Sequence, residues 1–124
     1  MRHVAVFLDH HEAKIFHVNP ESFEEQHLKS PHASLHQKHR EKTHPAELAH
    51  FYEEVVRALE GAEEILVLGP GSAKLDFVKH VHKHHARLVD HLVGVETADH
   101  PTDRQIVAHA RATFDKIDRL RGDA

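Results

Sequence analysis

Ile65-Leu66-Val67-Leu68-Gly69-Pro70-Gly71-Ser72-Ala73-Lys74 is the stretch on which the reading of this 124-residue chain turns. Four branched apolar residues in succession suit a buried strand, and the Gly-Pro-Gly corner then hands the chain to a helix. Such a corner aims backbone N–H groups outward at the positive end of the helix dipole, where phosphate or carboxylate is favoured. The spacing limits that inference. A nucleotide-binding P-loop needs a longer gap from its first glycine and a Ser or Thr after the lysine, whereas Lys74 precedes Leu75. A dinucleotide fingerprint would want a third glycine where Lys74 stands. What remains is an anion-binding corner made of Gly69, Gly71, Ser72 and Lys74. Beside it stands a plain reading in which both glycines supply turn conformations closed to other residues, Pro70 stiffens the corner and Ser72 caps the helix.

Downstream of the corner, the helix is expected to bury Phe77, Val78, Val81, Leu88 and Leu92 along one stripe, and Leu92 to Thr97 reads as the next strand. Thr102 and Gln105 form a capping box, followed by a helix with Ile106, Val107, Ala110, Phe114 and Ile117 on its apolar face. Upstream, a helix runs from Pro45 to about Leu59, with Leu48, Phe51, Tyr52, Val55 and Leu59 on one side and Gly61 ending it. Val4 to Leu8 and Ala13 to Val18 suit a hairpin across Asp9-His10-His11-Glu12. Asn19-Pro20-Glu21-Ser22 is a second turn, and Phe23 to Lys29 alternates weakly, as an edge strand would. Residues 30–43 are polar, basic and short of apolar anchors, so a mobile loop is expected there. This order predicts one α/β domain over residues 1–124, with a mixed sheet of about five strands and three helices. An antiparallel meander would join two parallel strands through right-handed crossovers.

Composition narrows the chemistry. The absence of cysteine excludes disulfides, thiolate catalysis and Cys-type zinc fingers, so any metal would rest on His and carboxylates. Sixteen basic against twenty acidic residues give a formal charge of −4, which argues against coating nucleic acid through bulk electrostatics. Local patches must carry such a role. The seventeen histidines make the charge conditional on pH, since free imidazole titrates near about 6.5. No apolar run is long enough for a membrane span, and charge near the N-terminus replaces the apolar centre of a signal peptide. A cytoplasmic location is expected.

The opening VAVFLDHHEAKIFHV, the later ILVLGPGSAKLDF and the segment VGVETADHPT together resemble the central domain of archaeal and eukaryotic class-one peptide-chain release factors and Pelota. The chain also resembles bacterial single-domain relatives of that group. Gly69, Pro70, Gly71, Lys74 and Phe77 match the family's turn and following helix. The resemblance implies a ribonuclease-H-like fold, and the ribosome or structured RNA as partner. It does not imply peptide release: the family's Gly-Gly-Gln tripeptide is replaced by an isolated Gln37 between His36 and Lys38. Without those glycines the backbone geometry the reaction uses is lost.

Four constellations are candidates for function. Lys79, Lys83 and Arg87 recur at helical spacing and make a basic line, which with the Gly69–Lys74 corner would meet RNA phosphates; a solvated face paired with Asp76 and Asp90 is the plain alternative. Lys38, His39 and Arg40 in the 30–43 segment could join that contact, and His32, His36 and His39 would share a face if it became helical. His80, His84 and His91 have spacing compatible with a divalent ion such as zinc, while His85 reads as a hydrogen-bonded core histidine. Asp9 and Glu96, with Asp99 nearby, suit a magnesium-dependent nuclease of ribonuclease-H-like fold, though Asp9 also suits a hairpin turn. The leading expectation is a non-catalytic, translation-associated RNA-binding module without cofactor. The nuclease and a His-rich metal- or pH-responsive protein are the alternatives. A homodimer through the weak third strand is also open.

Overall fold

The computed structural model describes residues 2–30 and 45–122. Its elements are β1 (His3–Leu8), β2 (Glu12–Val18), β3 (Phe23–Lys29), α1 (Pro45–Ala58), β4 (Glu64–Gly69), α2 (Ala73–His84), α3 (Ala86–Val89), β5 (Leu92–Thr97) and α4 (Asp103–Leu120). The strands form one sheet in the order β3-β2-β1-β4-β5. β1 pairs antiparallel with β2, and β2 with β3, while β1–β4 and β4–β5 are parallel. The expected mixed α/β architecture is present, with β3 at an edge.

The alternation of side chains along each strand divides the core into two layers. Val4, Val6 and Leu8 of β1 and Ile65 and Val67 of β4 meet Phe51 and Val55 of α1, Leu59 just after it, and Phe77 and Val81 of α2 on one face. Ala5, Phe7, Leu66 and Leu68 point the other way, onto Ile106, Val107, Ala110 and Phe114 of α4. β1 and β4 are therefore covered on both sides, which is why they read as continuous apolar runs. Each fully buried Phe or Leu in these layers stabilises the fold by about 1.5–3 kcal/mol relative to exposure.

The turns follow local chemistry. Asp9 Oδ1 accepts the N–H groups of His11 and Glu12 at 2.7 and 2.9 Å, closing the β1–β2 hairpin. Thr102 and Gln105 make the expected reciprocal capping box at the start of α4. Of the segment expected to be mobile, Ser30 is buried and its N–H donates to His11 O at 2.9 Å; residues 31–43 lie outside those described.

Two local expectations are corrected. The helix after the corner does not continue to Leu92: it stops at His84, His85 takes φ −139° and ψ 58°, and the short α3 follows, so the described residues hold four helices where three were expected. No glycine or proline marks this break. The bond from His85 to α1, described below, holds the broken conformation from outside the helix. Ser72 does not cap α2 through its side chain, because its backbone already lies in the helical region at φ −83° and ψ −12°. A capping side chain needs an extended backbone to reach the next amides.

Candidate nucleic-acid interface and the histidine cluster beside it

The Gly-Pro-Gly corner sits where β4 meets α2, at the carboxyl end of the parallel strands, where open α/β sheets commonly bind ligands. Gly69 is required by space: an added Cβ would come within 2.2 Å of Leu8 O on the neighbouring strand. Gly71 meets nothing within 4 Å and does not have positive φ, so the expectation that its conformation is closed to other residues does not hold. Gly71 and Ser72 are exposed. Lys74 is only 6% exposed, and its ammonium turns back to donate to Gly71 O at 2.5 Å. It fastens the corner to the first turn of α2, instead of reaching outward with the other cations.

Lys79 and Lys83 are exposed one turn apart on α2, as their spacing predicted. They line a groove of about 310 Å³ with Leu48 and Tyr52 of α1 and with Asp76, His80 and His84. Arg87 lies beyond the break in the helix and lines a different, larger hollow of about 650 Å³ with His84, His85 and His91. The basic line is therefore split in two, with His84 bordering both parts. Ser72 lies seven residues before Lys79, or about 10 Å along the axis at 1.5 Å per residue. Corner and lysine pair share a helix without forming a single cradle. Lys38, His39 and Arg40 lie outside the described residues.

The expected trio of His80, His84 and His91 is not what the fold gathers. His80 and His85 instead converge on α1, their Nε2 atoms 2.6 and 2.5 Å from the same oxygen, Glu53 Oε2. The ring of His84 stacks obliquely near His80, with centroids 4.7 Å apart. His91 is elsewhere, with Nδ1 3.0 Å from Glu63 O. An i, i+5 pair does not share a helix face; the non-helical backbone of His85 is what swings its ring back over His80. His85 is hydrogen-bonded as expected, but half-buried and not in the core. Hydrogen bonds from His85 and His80 hold the Glu53 carboxyl below its ordinary range. Tyr52, whose ring centroid is 5.6 Å from that of His80, has its phenol pushed up to about 12 by burial and by Asp76, so it stays protonated. Glu53 gave no sequence signal, since the Glu53-Glu54 pair between Tyr52 and Val55 reads as solvated helix positions.

The carboxylates singled out for a nuclease are used locally. Asp9 is committed to the hairpin turn, with Oδ2 3.8 Å from His100 Nε2, and Glu96 Oε1 lies 2.6 Å from His109 Nε2. Among the described residues, Asp9 and Glu96 do not belong to a common ligand cluster. A second acid cluster was not foreseen. Glu64, fully buried at the start of β4, contacts His3 Nε2 at 3.2 Å and Arg121 Nη1 at 3.0 Å, and Asp118 of α4 joins it 3.1 Å from the same His3 nitrogen. A hydrogen bond from Glu64, with His3 and Arg121, keeps the Asp118 carboxyl below its usual range despite burial. This group ties the end of α4 to the base of the sheet.

The architecture is an α/β domain with helices on both faces of a five-stranded mixed sheet. Solved structures share it. Pelota from Thermoplasma acidophilum is 22% identical over 94% of this chain and 38% of its own, with a TM-score of 0.62. The archaeal Pelota of a ribosome-bound assembly with ABCE1 is 21% identical over 92% of this chain and 33% of its own, with a TM-score of 0.67. The archaeal translation termination factor aRF1 is 17% identical over 98% and 39%, with a TM-score of 0.57. The chain thus spans about two fifths or less of these neighbours' length, and it is a structural relative of that part of them. No protein-family description matches the chain, and no curated protein sequence does.

Proposed function

We propose that this chain is a non-catalytic, translation-associated module that binds the ribosome or other structured RNA. The observation that carries the reading is the fold held in common with an archaeal Pelota bound to a ribosome. The exposed Lys79 and Lys83, with Arg87 beyond the break, supply cations where an acidic molecule needs a local patch. The amides of Gly71 and Ser72 at the exposed corner, and Lys38, His39 and Arg40, would extend that contact. Gly69 and Lys74 act beneath it, by keeping the corner close to β1 and fixed to α2. On this reading the protein works in the cytoplasm; among the described residues no helix is long and apolar enough to cross a membrane.

Co-sedimentation with ribosomes across a salt series tests the proposal. Wild-type protein is expected to pellet with ribosomes at low salt and dissociate as salt rises. The Lys79/Lys83/Arg87 triple alanine variant should bind more weakly, its salt slope reduced by about 1 for each lost phosphate contact. Equal binding by the two proteins, or no ribosome binding by either, would overturn it.

A further inference from the structure

The geometry points to a divalent transition-metal site, best suited to zinc, formed by Glu53 Oε2, His80 Nε2 and His85 Nε2. This inference does not depend on the ribosome-binding reading. The three atoms come from two packed helices and from the bend that ends one of them. All three lie within 4.8 Å of one another. Two imidazoles and one carboxylate are the donors of open zinc sites, which leave a fourth position to water.

The burial of the ligands is graded in the way such a site requires. The His80 side chain is 8% exposed, His85 29% and Glu53 39%, so one ligand is anchored in the protein and the carboxylate can still adjust from solvent. Tetrahedral zinc, with bonds of 2.0–2.2 Å, holds its ligand atoms about 3.3 Å apart, about 0.7 Å wider than the present N···O separations. Rotation of the half-exposed Glu53 side chain opens that gap without moving either helix. The two imidazole–carboxylate hydrogen bonds are then replaced by two N–metal bonds and one O–metal bond; each Nε2 proton leaves to solvent, or in a neutral ring is exchanged through solvent for one on Nδ1, so that each coordinated ring carries a single proton, on Nδ1.

The surroundings set the open side. Asp76 and Tyr52 border the groove from which His80 rises, together with Lys79, Lys83 and His84. Arg87 and His91 border the hollow next to His85. The carboxylates Glu53 and Asp76 offset the lysines near an incoming dication, and the Lys79 and Lys83 ammonium groups would attract an anion toward the metal's fourth position. His84, adjacent to His80, is not among the three ligands.

Zinc titration of the full chain against a chromophoric chelator at neutral pH tests the site. One tightly held zinc per chain is expected, with affinity reduced about 10-fold or more in His80→Ala, His85→Ala and Glu53→Gln. His91→Ala should bind as the wild type does. Glu53→Gln keeps the side chain's shape, so a loss there is separable from a folding defect. Cobalt in place of zinc should give the intense visible bands of a tetrahedral ion, weakened in the same three variants. Absence of a stoichiometric zinc, or uptake indifferent to all three substitutions, overturns the site. Neither result touches ribosome binding, so the two proposals fail separately.

Discussion

Gly69 and Gly71 stand two positions apart in one corner, yet only one of them has to be glycine. At Gly69 a methyl group would press on Leu8 O, a backbone atom in the central strand that cannot move aside cheaply. At Gly71 the same methyl group would enter open space. Gly69→Ala should therefore destabilise the protein by about 1–3 kcal/mol, as overpacking does. Gly71→Ala should be neutral or stabilise by up to about 1 kcal/mol, by restricting the unfolded chain. Denaturant midpoints of the two variants check this, and a costly Gly71→Ala would contradict it. The sequence marked both glycines alike, because the approach of a neighbouring strand leaves no trace in local spacing. Lys74 shows the same limit. Its chemistry was legible, but its return to Gly71 O was not.

Among the elements, those with strong local signals were found close to their bounds. The capping box of α4, the two faces of α1 and the run of β4 are written in spacings of three, four and one that no distant contact has to confirm. The helix after the corner was different. Its apolar stripe continued through Leu88, while the chain bends at His85, where Glu53 of the neighbouring helix takes up both imidazoles. That junction has a pH signature. Glu53 titrates below its ordinary value in the folded state, so its contribution to stability is present above the unfolded value near 4.5 and is lost as pH falls through the lower folded one. Stability measured from pH 6 down to about 3 should therefore show a component below about pH 4.5 that is absent in Glu53→Gln. An unchanged acid profile in that variant would show that the junction adds nothing.

For the molecule as a whole, the sheet order places β1 and β4 between two helical layers, with β3 and β5 at the edges. Amide exchange should be slowest in Val4–Phe7 and Ile65–Leu68, near the global unfolding limit, and faster by orders of magnitude along Glu24–Gln26 of β3, whose side chains are exposed. Uniform protection across all five strands would contradict this layering. The charge pattern also acquires meaning only at this scale. Lys79, Lys83 and Arg87 are equally spaced in the chain, but the bend assigns them to two hollows, so the cationic surface is broader and less focused than a straight helix would give.

By itself the sequence determined the succession of elements apart from the break before α3, the apolar runs of β1 and β4, the hairpin turn at Asp9 and the cap of α4. Each depends on neighbours within a few residues, or on a periodicity that burial imposes directly on residue type. Only the tertiary structure decided which histidines meet, that Glu64 is buried against Asp118, and where α2 ends. Those outcomes rest on side chains brought together from distant segments: Glu53 lies 27 and 32 residues from its imidazole partners. In a chain with seventeen histidines, local spacing offers many pairs and cannot select among them; helix packing does.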